Sequence, residues 1–448
     1  MKGLTKLCNN ISYLIYTLAF TIVICFASEA NAYSVLTHEA IIDANWKTSI
    51  EPEIRRKFPV ITPEQLKDAH AYAYGGAIIP DIGYFPFGSK LFTNMVHYIR
   101  TGDFVTALLE EAKDVNEYAF ALGVLAHYMG DNFGHEIGTN HAVPLVYPKI
   151  KKKFGSLVTY ADDHKSHSRM ELGFDVLQIA RGNYASQAYH DFIGFNISKP
   201  VLQKAFFRTY GIDVDDVFGS TDIAFSSFRW SVKTLIPVIV KSAWVHKKDD
   251  IRKINSGITA RKFSYKMKRR MYYQEFGKDN KKAGFIPTLI AVLTPVLPKI
   301  GPLAKLKFKT PTPEAEKLFV KSFDTVLVNY SNAIKNTGNT GFTLANKCLD
   351  TGHKTEAGDY LITDDSYDDF LLKLKAKKFD NLKAEVRANL VSFYSNRKPP
   401  KSKKSKKKYA EVIAALEELK HTGIVGTEIN AGSNDLLVIE THIPLNKN

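Results

Sequence analysis

The chain has 448 residues, 45% of them hydrophobic, 24% charged and 12% aromatic, with three cysteines and a formal net charge of +15. That balance suits a folded globular protein of one large or two or three ordinary domains with a sizeable core, which excludes a wholly disordered chain. A pI near 9.3 draws the surface toward anionic partners, whether lipid headgroups, nucleic acid or acidic polymers, without choosing among them.

The first residues read as an export signal. Lys2 and Lys6 form a basic start, residues 11–27 are apolar, and Ala30-Asn31-Ala32 is a small-x-small cleavage site. An uncleaved membrane anchor is the alternative, because the apolar run is nearly long enough to span. The absence of a basic stop-transfer flank favours cleavage near Ala32, giving a secreted or periplasmic protein. Ile24 before Cys25 speaks against lipidation. With Cys8 and Cys25 in the signal, the mature chain keeps only Cys348 and has no intramolecular disulfide. Zinc is then the natural staple for an exported fold.

The mature chain starts at Tyr33, and a helix is expected there, with Thr37 as its cap and His38 in the first turn. A second helix covers residues 63–74 and is ended by Gly75-Gly76. Residues 78–84, which include Asp81, read as a loop or turn. His97 lies in an extended stretch or short helix. A long helix then runs from about residue 105 through 126, with apolar residues every three to four positions. If it continues, each step of four advances ~400°, and His127, Asp131 and His135 share one face about a turn apart. Two imidazoles bracketing a carboxylate supply the borderline-soft nitrogen and hard oxygen that zinc accepts. The bland alternative is a set of solvent-facing or hydrogen-bonded polar residues, but apolar Leu125, Ala126 and Phe133 flank them.

Residues 138–158 look like a surface excursion. His167 and Glu171 are again four apart. Eight of the thirteen histidines fall between His38 and His167, and this crowding argues for a metal site more than any one residue does. His70, His141 and His164 read as surface or supporting residues, with His164 the substitute if His167 faces away. Residues 201–248 are helical and apolar, with Pro237 the place for a kink. Residues 252–282 are dense in Lys and Arg. Residues 285–302 are apolar but cut by four prolines, which suits a buried irregular segment or a membrane-interface insertion flanked by cations. Helices follow over 313–335, with Thr312 as cap and Pro313 at the first position, and over 366–394, with Ser366 as cap. Residues 397–408 are a basic linker, 409–419 a short helix and 436–443 a strand. The change in composition places a boundary near residue 250: a signal over 1–32, a catalytic domain over 33–250, and a basic, mostly helical region over 251–448 with no assigned role.

Taken in order, His38, Asp81, His97, His127, Asp131, His135, His167 and Glu171 resemble the zinc-dependent phospholipase C family. The N-terminal region of glycosylphosphatidylinositol-specific phospholipase D and the secreted zinc nucleases for single strands share that pattern. The likeness spans residues 33 to about 250 and implies an all-α bundle around a cluster of three Zn2+ ions. By resemblance, Asp81, His97, His127 and Asp131 hold one zinc, and His135, His167 and Glu171 a second. A third takes His38, a bridging Asp131, and the amine and carbonyl of Tyr33. Relatives usually begin with Trp; Tyr33 changes little, because its backbone does the ligating, but it does require cleavage after Ala32. Asp81 is implied to be both ligand and catalytic base, although a turn residue after Pro80 is the simpler role for it taken alone.

Glu171 follows the phospholipases, where the nucleases tend to carry Asp, whereas the short step from Tyr33 to His38 is closer to the nucleases. Ile82 and Asn94 stand where choline-preferring relatives have Tyr and Phe, so the choline pocket is not reproduced. Tyr84, Phe85, Phe87 and Phe92 are either aromatic walls of another pocket or core. The implied function is a phospholipase C that releases diacylglycerol and a phosphorylated headgroup from glycerophospholipids, with the basic half drawn to anionic membrane. The alternatives are a zinc nuclease whose cations contact nucleic-acid phosphates and a non-catalytic membrane-binding or adhesion protein with structural zinc.

Overall fold

A computed structural model describes residues 35–184, 195–263, 307–399 and 403–423. The signal segment with Tyr33, the proline-cut stretch 285–302 and the expected strand over 436–443 lie outside these residues. Among the described residues the fold is all-α, as expected, and its only bridge pairing joins Lys347 to Lys354.

Chain order begins with α1 (Val35–Asn45), continued by a π-helical turn (Trp46–Ile50), α2 (Glu51–Lys57) and α3 (Pro63–Ile78). Thr62 and Gln65 close a capping box at the start of α3, each side chain satisfying a backbone N–H that the first turn leaves open. The helix does not stop at Gly75-Gly76. Those glycines are a packing device: a Cβ at Gly76 would overlap the Phe120 carbonyl oxygen, and one at Gly75 the carbonyl of Asn196. Gly123 returns the contact, with the Ala73 carbonyl where its Cβ would be. Two helices therefore meet backbone to backbone, and these α3 residues stay helical because packing overrides the local cost of Gly. Gly76→Ala is expected to destabilise the protein by ~1–3 kcal/mol through overpacking, read as a lowered urea midpoint at unchanged m-value; an unchanged midpoint would contradict this packing account.

A 3₁₀ turn (Ile79–Tyr84) follows where a loop or turn was expected, then α4 (Lys90–Tyr98), which makes the His97 segment helical. The single long helix expected before His127 is two: α5 (Thr101–Glu111) and α6 (Val115–Phe133). The break falls where Asp114 caps α6, its Oδ1 accepting from the backbone N–H groups of Asn116 and Glu117. Helix α6 ends in a second π-helical turn (Gly134–Thr139). Residues 138–158 are more than a surface excursion, because α7 (Asn140–Val146) is largely buried and precedes α8 (Pro148–Phe154). Next come α9 (His164–Arg181), α10 (Lys199–Tyr210), α11 (Val214–Val217), α12 (Thr221–Ile254) and α13 (Ala260–Phe263). In α12 the backbone leaves helical geometry at Lys247, ten residues past the proline where a kink was expected.

In the C-terminal part, α14 (Pro313–Asn336) begins as expected, with Thr312 accepting from Ala315 N–H and Pro313 at the first position. Ser366 proves not to be a cap. It lies inside α15 (Leu361–Ala376), its hydroxyl donating to the Ile362 carbonyl, and α16 (Ala384–Ser395) is separate. Helix α17 (Lys403–His421) takes up the second half of the basic stretch expected to be a linker, and Arg397 is ion-paired to Asp368. These helices share the core of the preceding ones: Phe319 stacks on Phe174 at 4.6 Å, and the Tyr330 hydroxyl donates to the Leu122 carbonyl. No helix of the described residues is long and apolar enough to cross a membrane.

Candidate metal centre

His127 and Asp131 occupy the last two turns of α6, and His135 lies in the π-helical turn beyond. The i, i+4 spacing sets the first two on one face. The wider turn then carries the third around the end of the helix; π-turns of this kind recur at functional sites. Asp131 is the hub. Its Oδ2 is 3.1 Å from His127 Nε2 and 3.3 Å from His97 Nε2, and its Oδ1 is 3.4 Å from His38 Nε2 and 3.9 Å from His135 Nε2. All five side chains are at most 2% exposed.

Asp81 comes from the 3₁₀ turn and reaches within 3.3 Å of His97 Nε2. Thr93 holds the two segments in register: its hydroxyl donates to the Pro80 carbonyl and accepts from Gly83 N–H. The Thr93 carbonyl in turn lies 2.8 Å from His97 Nδ1. His38 enters from α1 and stacks on His127 with ring centroids 4.3 Å apart. Helix α9 supplies His167 and Glu171, one turn apart, with His167 Nδ1 2.9 Å and His135 Nε2 3.7 Å from Glu171 Oε1. The structure thus brings the eight sequence-predicted side chains into two adjoining groups that meet at Asp131 and His135.

The donor set fits zinc on its own chemistry. His97 and His127 point Nδ1 at the Thr93 and Ala77 carbonyls, at 2.8 and 2.9 Å, which commits the ring proton to that side. Their Nε2 atoms then face each other as lone pairs 3.2 Å apart. Two lone pairs and two carboxylates cannot converge without a cation between them. A tetrahedral zinc with bonds of ~2.0–2.1 Å spaces its donors ~3.3–3.4 Å apart, close to the separations around Asp131. Donor atoms of His38, His127 and Asp131 lie within 4.8 Å of one another, as do those of Asp81, His97 and His127. The buried Asp81 Oδ1 and both Asp131 oxygens find no backbone or hydroxyl donor and face only the surrounding imidazoles.

Without metal, protons take the cation's place. Burial lowers the His97 pKa, but hydrogen bonds to Asp131 and Asp81 outweigh it and push it up to about 10. For His135 the same burial is overcome by Asp131 and Asp350, giving about 9. Burial and then the charge of His135 push His167 down to about 3. Burial opposes ionisation of Asp131 as well, yet His127 and His135 hold its carboxyl well below the usual range. Folded pKa values above the ordinary 6.5 mean that the stability from the His97 and His135 protons is complete below about pH 6.5 and lost as pH rises through about 9 to 10. Zinc must displace both protons. Loading the stripped protein near pH 7.5 is expected to release about two protons per chain, with affinity rising between pH 7 and 9. Calorimetry in buffers of different ionisation heat measures the release, and a buffer-independent heat would contradict it.

Residues 37–219 match the family model described as zinc dependent phospholipase C. This stretch, less than half of the chain, is similar to that family. The description of that family names zinc as its metal and phospholipase C as its activity. No curated protein and no solved structure matches the chain.

Other sequence-flagged residues stand outside this donor set. His70 stacks on Trp46 at 3.6 Å and faces Asp43, and His141 is exposed. His164 sits beside Tyr160 at 5.8 Å between ring centroids, leaving His167 as the inward residue. Phe92 and Phe85 are core; Phe87 is 68% exposed with φ 61°. Tyr84 is buried within the electrostatic reach of Asp81, Asp131 and Tyr160, and burial raises its pKa. Sequence reasoning missed Asp350, whose Oδ1 is 3.5 Å from His135 Nδ1. No local pattern marks it: it sits in an irregular segment 215 positions beyond the histidine it faces.

Proposed function

We propose that the chain is an exported phospholipase C that hydrolyses glycerophospholipids to diacylglycerol and a phosphorylated headgroup. The observation that carries this reading is the convergence on Asp131 of the His38, His97 and His127 imidazole nitrogens at 3.1 to 3.4 Å, with Asp81 beside them. Asp81, His97, His127 and Asp131 would hold one zinc, and His135, His167 and Glu171 a second. A third would take Asp131, His38 and the amine and carbonyl of Tyr33, which needs cleavage after Ala32. Bound zinc supplies neutralisation of the phosphodiester oxygens, a water of lowered pKa and stabilisation of the leaving alkoxide.

The protein residues position and move protons around that chemistry. Asp81 accepts the proton of the attacking water; as a carboxylate at the edge of the cluster it serves as ligand and general base. The carbonyls of Thr93 and Ala77 hold His97 and His127 in the tautomer that presents Nε2. Burial of the whole donor set strengthens its attraction for cations. The net charge of +15 favours approach to anionic membrane. The test is turnover of mixed phospholipid vesicles and of single-stranded DNA by the mature protein. Diacylglycerol release supports the proposal, whereas DNA cleavage without it selects a nuclease and overturns the substrate assignment. Three zincs per chain and an N-terminal tyrosine are the expected composition of the mature enzyme.

A further inference from the structure

We propose that Asp350, from outside the family-matched stretch, is a positioning residue that sets the tautomers of both His135 and His167 and so builds one of the zinc positions. The inference rests on the ligand assignment made above. Asp350 is 4% exposed. Its Oδ1 faces His135 Nδ1, while its Oδ2 accepts hydrogen bonds from the Tyr98 hydroxyl at 2.8 Å and the Tyr360 hydroxyl at 2.5 Å. Those two donors fix the carboxylate plane, and its other oxygen is left for the imidazole. A carboxylate only accepts when ionised, so it selects the form of His135 with a proton on Nδ1 and a bare Nε2. That Nε2 faces Glu171 and Asp131.

The same residue reaches His167 through its backbone. The Asp350 carbonyl accepts from Asn140 Nδ2 at 2.8 Å, which fixes which way the amide points. Asn140 Oδ1 then lies 2.9 Å from His167 Nε2 and accepts its proton, so Nδ1 is the bare atom, 2.9 Å from Glu171 Oε1. One residue thus aims two imidazoles at one carboxylate. The segment carrying it is pinned to the helices that hold the other ligands. Leu349 N–H donates to the His97 carbonyl, the Tyr128 hydroxyl to the Ala345 carbonyl, and Thr101 bonds both backbone groups of Lys347. Since the family match ends at residue 219, the matched stretch does not complete this position from its own residues.

The test is competition between the full-length, zinc-loaded protein and a chromogenic zinc chelator. In Asp350→Asn the amide would present a donor to His135 Nδ1 and favour the wrong tautomer. One zinc equivalent per chain is expected to bind ~10–100-fold more weakly than in wild type, with the remaining equivalents and the far-UV circular dichroism unchanged. Asp350→Glu, which keeps the acceptor, is expected to recover part of that affinity. Tyr330→Phe, which removes a buried hydrogen bond to the Leu122 carbonyl away from the ligand set, serves as the structural control: lower melting temperature, full zinc content. If Asp350→Asn does not fold, Asn140→Ala carries the test through His167, and loss of the same equivalent is the supporting result. Wild-type zinc affinity in whichever variant folds, or a wild-type protein that holds no zinc, overturns the proposal. A wild-type protein that binds its zinc but leaves phospholipid intact defeats the functional reading alone.

Discussion

Asp81→Asn is expected to lower phospholipid turnover ~10²–10⁴-fold, the range for loss of a general base, while the helical content stays intact. The substitution keeps the shape of the side chain and removes its charge. An amide cannot take the proton of the attacking water, and it is a poor partner for a cation that His97, 3.3 Å away, also faces. The fold has little at stake, because the 3₁₀ turn is held by Thr93 bonding Pro80 and Gly83. Turnover on vesicles, measured alongside circular dichroism and melting temperature, separates the two effects. Unaltered hydrolysis in the variant would remove Asp81 from catalysis, and an unaltered lipid-related activity would favour a non-catalytic protein with structural metal.

The second large effect concerns Asp131. Replacing it with alanine withdraws the one negative charge shared by His38, His97, His127 and His135, all of them buried. Breaking a buried charge cluster by removing one partner typically costs ~3–5 kcal/mol, and here the metal that links the two ligand groups should go as well. The expected result is a protein with a lowered urea midpoint that no longer gains stability from added zinc. Wild type stripped with a chelator should show a similar loss but recover when zinc is returned, since a ligand that binds only the folded state stabilises it by mass action. A variant that melts like wild type and still responds to zinc would dismiss Asp131 as the hub.

How much of the centre could be read from the chain depended on whether the spacing was local. His127 with Asp131, and His167 with Glu171, stand four apart on helices, and helical geometry alone places each pair on one face. Asp81 and His97 have no such internal ruler. Their order along the chain suggested them through a family resemblance, and only the Thr93 bonds show how the two segments are brought together. Local rules misled where packing decides. Gly75-Gly76 signals a helix end on propensity, yet here it admits the neighbouring backbone. Ser366 has the chemistry of a cap, but its hydroxyl bonds back to Ile362 inside the helix. The break between α5 and α6 was legible in principle, since Asp114 is a favoured cap residue, but the apolar periodicity on both sides concealed it. Asp350 had no sequence signal, because its role exists only once residues far apart have met.

That distance has a consequence for how the protein is made. Tyr98 and Asp350, hydrogen-bonded in the finished molecule, are separated by 252 positions, a closure that is slow because it must be made across a very long loop. During synthesis the α6 stripe emerges early, while the segment that orients His135 follows more than two hundred residues later. A nascent chain that folded its amino-terminal half at once would lack Asp350 and the bonds that orient His135, so the second ligand group would be completed only after that distant segment has emerged.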